Sequence, residues 1–196
     1  MRTLVIALFA AASIAPAFAA DHTDAWRDYL KGQRETQLDR LDAYAAAGQF
    51  PINTQQPGAV SMLRDDTGTP CAMAFLVISS GHGDLIDSQI AANNDMQFSQ
   101  LSEGGLYDWT LTSGLLQEEA AMVQEPDFFV GDWDEPVPQP DPTLLAMEQE
   151  RLTQHFSRTS AMLRAQSDQA IELALARVVD RLSEPPPGAA PSLAAR

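Results

Sequence analysis

From residue 21 to 47, Trp26, Leu30, Leu38, Leu41 and Ala45 return at roughly helical spacing with charges between them. That pattern predicts an amphipathic helix. Gly48, with Pro51 just beyond it, is a usual helix stop. Residues 49–69 are rich in Pro, Gly, Asn, Gln and Asp and predict an irregular connection, with a turn at Asp65-Asp66-Thr67-Gly68. The run Cys71 to Ile78 is apolar throughout, so periodicity alone does not separate a buried strand from a short buried helix. Val77 and Ile78 pull toward strand. The ends favour helix: Thr69 as N-cap, Pro70 at the first helical position, Gly81 at the C-terminal cap.

Three more short helices are expected. Asp84 would cap one from Leu85 to about Ala92, stopped by Asn93-Asn94. Ser102 and Glu103 would start another through Tyr107, Trp109 and Leu111, ending at Ser113-Gly114. A third would run from about Leu116 to Gln124, with Glu118 and Glu119 in the first turn, where the helix dipole favours acids, and Pro126 closing it. Glu125 to Pro142 contains five prolines and six acidic residues with Phe128, Phe129 and Trp133 among them. It is expected to be an extended linker whose aromatics hold it against the domain. From Thr143 to Ser183, Leu145, Leu152, Phe156, Leu163, Ala170, Ala174, Val178 and Leu182 follow steps of three, four or seven, interrupted at Thr159 and Gln166. Forty residues of helix would reach about 60 Å, longer than a small domain is wide, so this helix must bend, break or project. The expected fold is mainly α: a helical domain over 20–125, a linker over 126–142, one long amphipathic helix over 143–183 and a disordered tail over 184–196.

The first nineteen residues change the picture of where this happens. Arg2 gives a positive start, Leu4 to Ile14 is apolar and uncharged, Pro16 breaks the run, and Ala17-Phe18-Ala19 supplies small residues for a signal peptidase. This is the pattern of a cleavable secretory signal, with cleavage expected after Ala19, or next after Ala20. The apolar stretch is shorter than the roughly 20 residues a bilayer requires, and no later segment is apolar enough to cross one. An exported protein, periplasmic or extracellular, is therefore expected. Its single cysteine, Cys71, provides no disulfide framework, so the fold must stand on its hydrophobic core.

The formal charge of −15 is concentrated in the middle of the chain. Between Asp65 and Glu150 there is no lysine or arginine against seventeen acidic residues, whereas both flanks are nearly balanced. Such a surface repels phosphate backbones, so no nucleic-acid partner is expected.

Candidate chemistry is sparse. Cys71 and His82 contain the elements of a thiol–imidazole pair, but as a helix the segment between them sets the two about 16 Å apart, against the ~3 Å a nucleophile and base require. His82, Asp84 and Asp87 form an H-x-D-x-x-D cluster whose donors suit a metal but whose spacing matches no established site. Asp127, Asp132, Asp134 and Glu135 offer oxygens to calcium without the ordered positions and glycine of an EF-hand loop. Glu103, Asp108, Glu118 and Glu119 could pair for acid–base work only if the fold brought two together. His22 and His155 fall in no pattern. There is no phosphate loop, no G-x-S-x-G, no H-E-x-x-H and no C-x-x-C. Nothing calls for a cofactor.

Residues 68–124 carry Gly68, Cys71-Ala72-Met73-Ala74, Ser80-Gly81, Asn93-Asn94, Asp108-Trp109, Ser113-Gly114-Leu115 and Gln117-Glu118-Glu119. This stretch resembles segments of uncharacterised exported bacterial proteins. The resemblance implies a helical domain of bacterial origin and brings no activity or site. Two functions remain open: a non-enzymatic interaction or envelope-associated module that contacts a partner or its own copy through the long helix, and a small secreted hydrolase using Cys71 or the His82, Asp84 and Asp87 cluster.

Overall fold

The computed structural model describes residues 16–131, 139–181 and 184–188, with side chains from residue 22 onward. Most of the expected signal segment, Trp133 of the expected linker and the last eight residues lie outside that range. Seven α-helices make up most of the described chain: α1 Pro16–Ala47, α2 Ala72–Ser79, α3 Gly83–Ala92, α4 Gly105–Thr112, α5 Gln117–Val123, α6 Pro142–Ala165 and α7 Ser167–Arg177. The only sheet among the described residues is an antiparallel pair of two-residue strands, β1 Ala59–Val60 and β2 Asp127–Phe128. No helix of the described residues is long and apolar enough to cross a membrane.

The mainly helical character expected from periodicity is what the chain adopts. α1 ends at Ala47, and Gly48 takes φ +62° just beyond it. Residues 71–78 lie in a helix that is apolar all round and buried accordingly: Ala72, Met73, Ala74, Leu76 and Val77 are each 1% exposed or less. Its start is displaced from the expected one. Asp65 Oδ1 accepts from the N–H groups of Thr67 and Thr69, and Cys71 N–H donates to Leu63 O, so the chain is still extended through Pro70. Cys71, and not Thr69, is therefore the N-cap. At the other end Gly81 N–H bonds Ile78 O and His82 N–H bonds Val77 O, a closed left-handed stop at φ +86°. α3 follows at once, capped by His82, which leaves Asp84 in the first turn instead of at the cap. α4 starts at Gly105 after Gly104 at φ +86°, two residues later than Ser102 and Glu103 suggested.

Three larger corrections concern the second half. The segment 143–183 is not one helix: it breaks at Gln166 into α6 and α7. Residues 127–128 of the expected linker form a strand, and Val130 N–H and Asp141 N–H continue its backbone bonding to Asn53 O and Val130 O. Residues 184–188 of the expected disordered tail lie on the domain, with Pro186 buried and Trp26 Nε1 donating to Glu184 O at 2.8 Å.

α1 runs antiparallel to α6 and α7, as its side-chain partners show. Arg27 meets Glu172, Arg34 meets Ser167, and the Tyr44 ring meets Phe156 at 5.3 Å. Two apolar clusters result. The larger joins the C-terminal half of α1 to α2–α6, and the smaller joins Trp26 and Leu30 to Ile171, Ala174, Leu175 and Val178 of α7. The apolar stripe of α6 and α7 from Leu152 to Val178 is thus packed within the same chain.

Between the two clusters lies a buried ion pair. Arg34 is 1% exposed and Glu119 4%. All five guanidinium N–H groups find acceptors: both Glu119 oxygens at 2.7 and 2.8 Å, Gly114 O, Leu163 O and Ser167 Oγ. Glu119 Oε2 also accepts the N–H of Leu116 at the start of α5. Gly114 must be glycine twice over, since its φ is +78° and a Cβ there would lie 2.4 Å from Leu30 O. Breaking a buried pair from one side costs about 3–5 kcal/mol because it strands the other charge. Urea unfolding should therefore show Glu119→Ala destabilised by about that amount, and Gly114→Ala by about 1 kcal/mol or more. Wild-type midpoints for both variants would contradict this account of the layer.

Candidate functional site

The residues singled out by the sequence do not converge. Cys71 is buried at the start of α2, where Sγ accepts from Ala74 N–H at 3.5 Å. Burial pushes its thiol up to about 12, so it stays protonated at neutral pH. His82 is exposed at the opposite end of the same helix. Asp84 and Asp87 are exposed on α3, and the Asp87 carboxylate binds Arg64 at 2.9 Å. Among the described residues no three His, Cys, Asp or Glu side chains gather as a metal site. Three of the four acids considered for acid–base work are held by separate arginines: Asp108 by Arg181, Glu118 by Arg177, Glu119 by Arg34. Glu103 is exposed. Of the acids weighed for calcium, Asp127 is buried, and Asp132, Asp134 and Glu135 lie outside the described residues.

His82 does take part in a different arrangement. A groove of about 390 Å³ runs between α1, the end of α2 and the end of α4, with Pro187 of the tail at its rim. Tyr29, Gln33, Thr36 and Arg40 of α1 form one wall, recurring at steps of four, three and four and so sharing a helix face. Ser80 and His82 come from the α2 stop, and Trp109, Thr112 and Ser113 from the last turn of α4. The volume is within the lower part of the range common for small-molecule pockets, about 300–1,000 Å³.

The polar groups of this groove divide into two sets. Every hydroxyl of Ser or Thr on its walls is turned back to a main-chain carbonyl. Ser80 Oγ donates toward Leu76 O and Val77 O and accepts from Trp109 Nε1 at 2.9 Å. Thr36 bonds Gly32 O, Thr112 bonds Asp108 O, and Ser113 bonds Thr110 O while accepting from Leu115 N–H. None of these oxygens is paired with His82, so no hydroxyl nucleophile faces a base here. The side chains of Tyr29, Gln33, Arg40 and His82, in contrast, have no hydrogen-bonding partner within the described chain. They are available to something else.

A second polar cluster is structural. Arg151 on α6 binds Glu148 at 2.7 Å, Glu125, and Pro126 O at 2.8 Å, and its guanidinium lies 4.6 Å over the Phe128 ring. Glu148 in turn accepts from Phe128 N–H. This holds β2 down, and it seats Asp127 beneath it at 3% exposure with Oδ2 lacking a partner. Burial first, then the nearby Glu148 carboxylate, push Asp127 up to about 8, against a partial opposing effect of Arg151.

Compared with known protein families, with curated proteins and with solved structures, the chain has no match in any of the three. Tyr29, Gln33, Thr36 and Arg40 recur at 4-3-4 spacing beside the apolar face of α1, the one trace of the groove in the sequence. Nothing in that spacing told what the stripe would face.

The raised Asp127 has a consequence for stability. The folded state keeps this proton up to about pH 8, while the unfolded chain releases it near 4. Between those values the folded state binds more protons, so this group makes stability fall as pH rises. Asp127→Asn removes the effect. Relative to wild type, the variant should gain about 3–5 kcal/mol in unfolding free energy between pH 4 and pH 8. Parallel stability curves across that window would show that Asp127 ionises normally.

Proposed function

We propose that this protein is an exported, non-catalytic binding module whose groove between α1, α2 and α4 holds a small ligand. One observation carries the reading: the groove's Ser and Thr hydroxyls are committed to main-chain carbonyls, while Tyr29, Gln33, Arg40 and His82 around the same space have no side-chain hydrogen-bonding partner. Side chains with unused donors and acceptors suit recognition, and the absence of a nucleophile–base contact among them gives no starting point for acyl transfer. The hydrolase alternative loses its support for the same reason. Its thiol is buried and protonated, and its imidazole is at the far end of a helix.

Export rests on the signal-like pattern of residues 1–19 and on the resemblance of residues 68–124 to exported bacterial proteins. Cleavage after Ala19 would shorten α1 but leave Trp26 and every buried residue after it in place. A partner or second copy is not needed to bury the apolar stripe from Leu152 to Val178, which packs within the chain's own clusters, while Leu144, Met147 and Leu173 stay exposed.

Native mass spectrometry of the protein recovered from the whole culture, cells and medium together, tests both statements in one measurement. The polypeptide should begin at Ala20, and it should carry small molecules of a few hundred daltons. The Thr36→Trp variant, which places an indole in the groove from an exposed helix position, should carry none. A chain still beginning at Met1 would remove export, and equal cargo on both proteins would remove the groove.

A further inference from the structure

Arg40 is the least expected member of the groove. The chain has 27 acidic residues against 12 basic ones, so a guanidinium has many possible partners. Seven of the other described arginines bind a carboxylate, and Arg158 bonds the Gln154 amide. Arg40 alone among the described arginines bonds nothing. It is half-buried in the groove wall, where a charge without a counter-ion is unfavourable. Its own helix offers no relief: the residues three and four positions away are Thr36, Gln37, Ala43 and Tyr44, none acidic. The adjacent Asp39 and Asp42 point elsewhere, both bound to Arg164. A planar fork of five donors left open in this setting matches a carboxylate from outside the chain.

The rest of the groove narrows the class. Its helix ends are the C-terminal turns of α2 and α4, at Ser80 and at Thr112–Ser113, which carry the negative end of the helix dipole, and the start of α3 at His82, which carries the positive end. With Arg40 as its one arginine, the site favours a monoanion over a phosphate dianion. Tyr29 lies eleven residues before Arg40 on the same face, about 16 Å along the helix. The Tyr29 and Trp109 rings give the intervening space flat walls.

We propose that the groove takes a small organic carboxylate, its charge held by Arg40 and its body lying along α1 between the Tyr29 and Trp109 rings. This deepens the binding reading above and depends on it. His82 and Gln33 supply further hydrogen-bonding groups on the same walls. Because Arg40 has no partner in the chain, replacing it should leave the fold intact.

The test is calorimetric titration of the intact exported protein with phenylacetate, indole-3-acetate, hexanoate, phenylacetamide and inorganic phosphate at one ionic strength. At least one of the three carboxylates should bind, with phenylacetamide and phosphate weaker. R40Q should lower carboxylate affinity about tenfold or more, the loss of a charge-assisted bond, with an unchanged melting temperature, and R40K should retain part of the affinity. Binding of the amide as tight as that of phenylacetate, a tighter phosphate, an R40Q protein that binds like wild type, or no carboxylate bound at 10 mM would each overturn the carboxylate assignment. Neutral molecules carried by the wild-type protein and expelled by Thr36→Trp would preserve the binding reading while removing this one, so the two fail separately.

Discussion

The Arg34–Glu119 pair sets the register of everything packed around α1. Leu30, Arg34 and Leu38 are successive turns of α1, and Leu163, Ser167 and Ile171 are their opposite numbers across the α6–α7 break. On one side of the charged layer lies the small cluster and on the other the large one. An ion pair taken out of water gains little net stability, because its desolvation offsets the Coulomb attraction. Its effect is to make every other alignment worse. Sliding α6 and α7 by one turn would take the Leu163 carbonyl and the Ser167 hydroxyl away from Arg34 and strand two of its five donors.

The same layer accounts for the break that periodicity did not settle. The last carbonyls of a helix lack intrahelical donors. At the end of α6 the carbonyl of Leu163 receives Arg34 Nη2 at 2.7 Å, and Ser167 Oγ takes Nε. The helix can stop at Gln166 because a side chain from α1 supplies the bonds it loses. The bend lets α7 follow α1 and cover Trp26 and Leu30 instead of projecting into solvent. The Gly114 turn, drawn tight against the α1 backbone, joins α4 to α5 and brings the end of α4 beside α1. That placement creates one wall of the groove.

Features set by local chemistry were legible in the sequence. Gly48, Gly81, Ser113-Gly114 and Pro126 end helices where a left-handed residue or a missing N–H requires it, and the all-apolar run 72–77 is buried. Features set by distant partners were not. The N-cap of α2 moved from Thr69 to Cys71 because Asp65 claimed the N–H of Thr69. The strap became a strand because Arg151 and Glu148, some twenty residues on, hold it against β1. The interruption at Gln166 was visible as a gap in the stripe, but only Arg34 shows what it is for. The groove draws its walls from three helices and Pro187, so no stretch of sequence spells it out; His82, a residue that suggests metal or catalysis in the sequence, lines this groove.

Function follows from what the packing leaves over. Ten carboxylates of the described chain bind arginines, the thiol is buried, and the groove's Ser and Thr hydroxyls are bonded to the main chain. Tyr29, Gln33 and Arg40, which have no hydrogen-bonding partner in the described chain, are grouped on one side of α1 with His82 facing the same groove. Amide chemical-shift mapping with phenylacetate tests that grouping most directly. The account requires the perturbed resonances to fall on the Tyr29–Arg40 face, on Ser80–His82 and on Trp109–Ser113. Shifts centred on the exposed Leu144 and Met147 of α6, with these three segments silent, would contradict it.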